Sequence, residues 1–131
     1  MAPFTIILAG ASCVILGMLW YNQHLLGEAW MRMSNITPEQ AERAAKRRSM
    51  SALIGLIAAM FMAWTLSIVE TAFGVYDWFG GMLAGFWIWA GFVAPVLLGT
   101  VLWEAKPFKL YLINALYWLV ALLAMGVIVS F

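Results

Sequence analysis

Long apolar runs alternate with short polar connections along this chain. The runs are Phe4–Tyr21, Met50–Val69, Met82–Trp103 and Leu110–Phe131, and the connections are Asn22–Ser49, Glu70–Gly81 and Glu104–Lys109. A hydrocarbon core about 30 Å thick takes roughly 20 helical residues at about 1.5 Å each, so every run is long enough to cross it. No water reaches the backbone there, and a helix satisfies its own amides and carbonyls. The pattern therefore predicts an all-α integral membrane protein, with four transmembrane helices in one bundle. The spans cover about 4–21, 50–69, 82–103 and 110–131 and form a single domain over residues 1–131.

The first connection is long enough to carry structure of its own. Thr37 can cap a helix, Pro38 suits its first position and Gln40 can close a capping box. Glu39 and Arg43, like Glu42 and Lys46, are acid-first pairs four residues apart. Only Gly55 weakens a helix between Pro38 and Val69, so one helix about 48 Å long at about 1.5 Å per residue is expected, its first third in the cytoplasm. Upstream, Leu25, Leu26, Ala29, Trp30 and Met33 recur at helical spacing beside Glu28 and Arg32. That suits an amphipathic segment lying on the inner membrane surface between spans one and two.

Charge orients these elements. All seven Lys and Arg residues fall in the first and third connections, as Arg32, Arg43, Lys46, Arg47, Arg48, Lys106 and Lys109, whereas the second holds Glu70 and Asp77 and no base. By the positive-inside rule the first and third connections are cytoplasmic and both termini lie outside. Arg43, Lys46, Arg47 and Arg48 are candidate contacts for anionic lipid, at about 1 kcal/mol per base. Trp20, Tyr21, Trp30, Tyr76, Trp78, Trp103 and Tyr111 lie near span ends, where an aromatic belt is expected. No base precedes the first run, which is therefore read as a retained span.

Composition narrows the chemistry. Apolar residues make up 66% and charged residues 10% of the chain, against about 25% charged in an ordinary soluble domain. With 131 residues there is no room for a separate catalytic or nucleic-acid domain. Cys13 is the only cysteine and His24 the only histidine, so one chain forms neither a disulfide nor a zinc site of the usual Cys and His ligands. No phosphate-binding glycine loop occurs, and no nucleophile has a base at its depth. Neither an enzyme, a cofactor nor a nucleic-acid partner is expected.

Three patterns bear on packing and function. Ser51, Gly55, Ala59, Ala63 and Ser67 repeat every fourth residue through span two. Small residues at that spacing let helices approach closely in lipid, with a right-handed crossing near −40° by rough analogy. Ala9, Cys13 and Gly17 repeat this in span one, and Gly91, Pro95 and Gly99 in span three. The stripes serve either as internal seams, the favoured reading, or as self-association faces. Pro95 lacks an amide to donate to the Gly91 carbonyl and should kink span three, as a structural bend in preference to a pore hinge.

Polar residues cluster on the cytoplasmic side. Asn114 lies five residues past Lys109, about 7.5 Å into span four at about 1.5 Å per residue. Asn22, Gln23, His24, Glu28 and Glu104 fall at a similar level. Together they would make a proton relay or a cation mouth; the favoured alternative is that each meets water or headgroups while Asn114 bonds a neighbouring helix. Glu70 and Asp77 could hold a cation on the outer side, but two solvated span ends are the preferred reading.

The motifs Leu19-Trp20-Tyr21, Leu26-Gly27-Glu28-Ala29-Trp30-Met31, Thr37-Pro38-Glu39, Gly91-Phe92-Val93 and Leu110-Tyr111-Leu112-Ile113-Asn114-Ala115-Leu116-Tyr117 resemble those of a bacterial family, domain of unknown function 1761. The resemblance covers nearly the whole chain and implies a small four-span membrane protein, with no activity attached. Asn22-Gln23-His24 departs from the Ser-Pro associated with that place. The resulting expectation is a non-enzymatic structural protein that self-associates or serves as an accessory subunit of a membrane complex, with membrane lipids and further copies as partners. It rests on the span-two stripe and on the absence of buried ionisable groups. The alternative is a small transporter or channel, acting as a homo-oligomer with a polar mouth of Asn22, His24, Glu28, Glu104 and Asn114 around the Pro95 kink.

Overall fold

A computed structural model describes residues 3–22 and 25–131 of the protein. Their regular structure is helical throughout: α1 (Pro3–Trp20), α2 (Gly27–Met33), α3 (Pro38–Lys46), α4 (Arg48–Ala72), α5 (Trp78–Ile88), a π-helical turn (Trp89–Val93), α6 (Ala94–Leu102) and α7 (Phe108–Val129). Among the described residues, four segments are long and apolar enough to cross a membrane: α1, α4, the continuous run from α5 to α6, and α7, of 18, 25, 25 and 22 residues.

Local chemistry sets the helix ends. The Gln40 amide donates to Thr37 Oγ1 at 3.1 Å, and the Thr37 amide donates to Gln40 Oε1 at 3.0 Å, so the expected capping box opens α3. The single helix expected from Pro38 to Val69 does not form. It breaks at Arg47, whose backbone (φ −107°, ψ 15°) leaves the helical region between α3 and α4. Neither proline nor glycine marks the break. On a continuous helix Arg43 and Arg47 would stand four residues apart, where like charges disfavour the helix by about a few tenths of a kcal/mol.

The long helices pack in the order α4, α1, α7, α5. Helix α1 lies against both α4 and α7, and α7 lies most extensively against α5. Helices α4 and α5 follow each other in sequence but touch only sparsely, which leaves a groove between them. The buried core joins Ala9 and Cys13 of α1, Ala59, Ala63 and Leu66 of α4, and Tyr117, Ala121, Leu122 and Met125 of α7.

Missing side chains govern the closest approaches. A Cβ on Gly81 would strike the Gly126 carbonyl oxygen, and one on Gly85 would strike that of Leu122. These glycines stand four apart on α5, and Gly126 reciprocates on α7, the small-residue arrangement that lets helix backbones touch where no hydrophobic force drives association. A Cβ on Gly10 would likewise meet the Met60 backbone of α4. The expected span-three stripe is elsewhere: Gly91 has no atom within 4 Å of an added Cβ, and Pro95 is exposed. The close seam of span three lies on the face carrying Gly81 and Gly85 instead.

Span three is not a simple proline kink. Pro95 stands in the first turn of α6, and the turn before it widens to a π-helical one, with the Ala94 amide donating to the Trp89 carbonyl five residues back. An extra residue in a turn rotates everything beyond it, and such turns occur frequently at functional sites.

Candidate functional site

Among the described residues of the expected polar rim, Asn114 has a side-chain hydrogen bond to span one. Tyr21 donates its hydroxyl to Asn114 Oδ1 at 2.6 Å, so the Asn114 amide oxygen is engaged by a span-one side chain. Asn22, Glu28 and Glu104 are exposed, and His24 lies outside the described residues. Among the described residues no three His, Cys, Asp or Glu side chains gather as metal ligands would. Aromatic donors surround Asn114: Trp20 Nε1 donates to the Ile113 carbonyl at 3.0 Å and Trp89 Nε1 to that of Ala115 at 2.7 Å. Tyr117 donates to the Cys13 carbonyl at 2.7 Å, and its ring meets that of Tyr21 edge-on at 5.4 Å. Trp20, Tyr21 and Tyr111, expected in an interfacial belt, thus turn inward; Tyr111 donates to the Ala94 carbonyl at 3.1 Å. Tyr76, Trp78 and Trp103 remain exposed. An indole or phenol reaching a carbonyl inside an apolar interface satisfies its own polar atom while burying its ring.

The span-two stripe divides. Ala59, Ala63 and Ser67 are buried, whereas Ser51 and Gly55 are exposed and nothing stands within 4 Å of a Cβ added to Gly55. Arg43, Lys46, Arg47 and Arg48 project as an exposed basic run around the α3–α4 break.

The ionisable group that sequence reasoning misplaced is Glu70. Instead of ending α4 in solvent it is only 2% exposed, and neither carboxyl oxygen has a hydrogen-bond partner among the described residues. Its position continues the buried face of the stripe, three residues beyond Ser67. The turn after α4 then covers it. Gly74 takes a left-handed conformation (φ +69°), its amide donates to the Thr71 carbonyl at 3.2 Å, and the Val75 amide donates to the Glu70 carbonyl at 2.8 Å. This is a Schellman closure, which requires positive φ at its glycine and folds the following residue back against the last helical turn. A buried acid on the stripe face, followed four residues later by Gly-Val, was the available signal. Asp77 does not join it: its Oδ1 accepts the Gly80 amide at 3.3 Å and caps α5.

Glu70 lines a cavity of about 570 Å³ in the groove between α4 and α5. Val69, Phe73 and Val75 complete one wall, and Leu83, Trp87 and Phe92 form much of the other. Phe92, which also lines the cavity, comes from the π-helical turn. A second, apolar hollow of about 240 Å³ shares Val69 and Ile88 and continues the groove over Leu122 of α7. Chemically the site is one carboxyl group in an apolar, aromatic surround. All seven Lys and Arg lie in the connections at the other end of the long helices, so none of them neighbours it.

No curated protein and no solved structure matches the chain. A family model does, over residues 4–130, which span every long helix and both walls of the Glu70 cavity. The chain belongs to the family described as Protein of unknown function (DUF1761).

Proposed function

We propose that this is a multi-pass protein of the bacterial inner membrane that binds a positively charged species at Glu70. Its four spans form one bundle, both termini lie outside, and the α4–α5 turn faces the outer side. The basic connections support that orientation. The observation that carries the reading is the unpartnered, buried Glu70 carboxyl beside an open groove. A buried acid without a partner at the end of a membrane-spanning helix is costly to keep there, and acids held at membrane depth mark substrate or ion sites by default. The transporter alternative is thereby retained with its centre moved from the Asn114 rim, where Tyr21 already occupies the amide, to the opposite end of the helices.

A hydrophobic carbodiimide tests this, since it modifies protonated carboxyls within lipid. Intact-protein mass should show one adduct that is lost in Glu70→Gln and diminished by at least one of sodium, potassium, calcium or tetraphenylphosphonium. An adduct insensitive to all four, or none at all, would overturn the proposal.

A second reading keeps the structural role. The open half of the stripe, Ser51 and Gly55, offers a close-approach face on α4 that the chain itself leaves unused. It supports self-association or docking into a larger membrane complex through that face.

A further inference from the structure

We infer that the occupant of the Glu70 cavity is an organic cation with an apolar body of aromatic size, and not an inorganic ion. The inference rests on the reading that Glu70 binds a cation, and it specifies the class.

The donor set argues first. A calcium ion takes six to eight oxygens and a magnesium ion near-octahedral coordination, by the usual range of about six ligands or more. This cavity supplies one carboxylate. Asp77 is engaged at the α5 amino end, the Glu70 carbonyl accepts the Val75 amide, and no three metal-ligating side chains gather among the described residues. A small ion would shed its water here without replacement. A large cation with diffuse charge is weakly hydrated, so one buried carboxylate can offset the transfer.

The walls argue second. Phe73, Trp87 and Phe92 line the same cavity as Glu70. An aromatic face attracts a cation, and these three rings, exposed on the chain itself, flank the groove. A volume of about 570 Å³ is far larger than an ion needs, and falls within the roughly 300–1,000 Å³ of small-molecule sites. The adjoining hollow over Leu122 extends the apolar groove and has room for further hydrocarbon.

Charge complementarity argues third. No Lys or Arg of the chain lies at this end of the long helices, so none of these side chains supplies a counter-charge to an ionised Glu70.

The full chain in lipid nanodiscs, with empty nanodiscs as the partition control, should bind radiolabelled tetraphenylphosphonium saturably. Tetraphenylborate, of the same shape and opposite charge, should neither bind at the site nor compete. Glu70→Gln should weaken binding at least tenfold and Trp87→Leu several-fold, while Asp77→Asn, which keeps the cap, should leave it unchanged; circular dichroism confirms that each variant is helical. Equal binding by Glu70→Gln, or competition by tetraphenylborate, would overturn the inference. If sodium, potassium or calcium alone protects Glu70 from the carbodiimide, the class is wrong and the cation-binding reading survives. If nothing protects it, both fall.

Discussion

The Val75 amide donates to the Glu70 carbonyl oxygen at 2.8 Å, and this bond turns the chain back over the end of α4. The same residue thus contributes its carbonyl to the closure of the helix and lines the cavity. Gly74 makes the turn feasible by adopting a positive φ. Replacing it with alanine, which meets no atom within 4 Å, isolates the conformational cost. Gly74→Ala should destabilise by about 1 kcal/mol or somewhat more, read as a lower thermal midpoint in detergent. An unchanged midpoint would show that the turn tolerates a Cβ.

An unpartnered buried carboxyl costs stability while no ligand is present. Glu70→Leu keeps the volume roughly similar and removes the polar atoms, so the ligand-free protein should gain on the order of 1–3 kcal/mol. Thermal unfolding of the two proteins checks this. A loss instead would mean that the carboxyl is held by a group within the assembled protein.

Two glycines of span three should answer oppositely to alanine. At Gly85 the new Cβ meets the Leu122 carbonyl of α7 and must push two backbones apart. Overpacking of that kind costs about 1–3 kcal/mol. At Gly91 the space is open, so Gly91→Ala should be neutral or gain up to about 1 kcal/mol from helix propensity. Paired unfolding curves decide the matter, and equal effects would contradict the seam.

The two halves of the span-two stripe separate folding from assembly. Ala63→Leu enlarges a fully buried site in the core and should lower the yield of folded monomer. Gly55→Leu enlarges an exposed one and should leave the monomer folded. If the chain self-associates through this face, Gly55→Leu alone should reduce the mass measured by light scattering in detergent. A mass unchanged by Gly55→Leu argues against this face as a contact. The substitutions that sequence periodicity recommends, at Ala59 and Ala63, would damage the core before they reported on any oligomer.

What was legible in the sequence came from local rules. Run length marked the four apolar helices, because the cost of an unpaired backbone in lipid acts on each segment by itself. Thr37 and Gln40 announced their capping box three residues apart, and the family motifs from Leu19 to Tyr117 were readable as strings. Which side of each helix meets which neighbour was not readable in that way. Periodicity made Ser51 and Gly55 equivalent to Ala59 and Ala63, but only the latter pair is buried. Gly91 and Pro95 repeated as a stripe, yet Gly81 and Gly85 make the contact, because the partner glycine stands on α7, some forty residues further on by rough count of the sequence. The helical break at Arg47 and the inward turn of Trp20 and Tyr21 likewise depend on surroundings that one segment does not carry.

Charge pattern and apolar run length were therefore determined by the chain alone, since each residue's transfer energy between water and hydrocarbon is its own. The fate of Glu70 was decided only in three dimensions. At the end of a span the same carboxylate is either hydrated or enclosed, and the choice here falls to Gly74 folding Val75 back, to Asp77 spending its oxygen on α5, and to the sparse contact of α4 with α5 that leaves a cavity beside it. Burial is a property of neighbours, and neighbours from separate helices leave no period in the sequence.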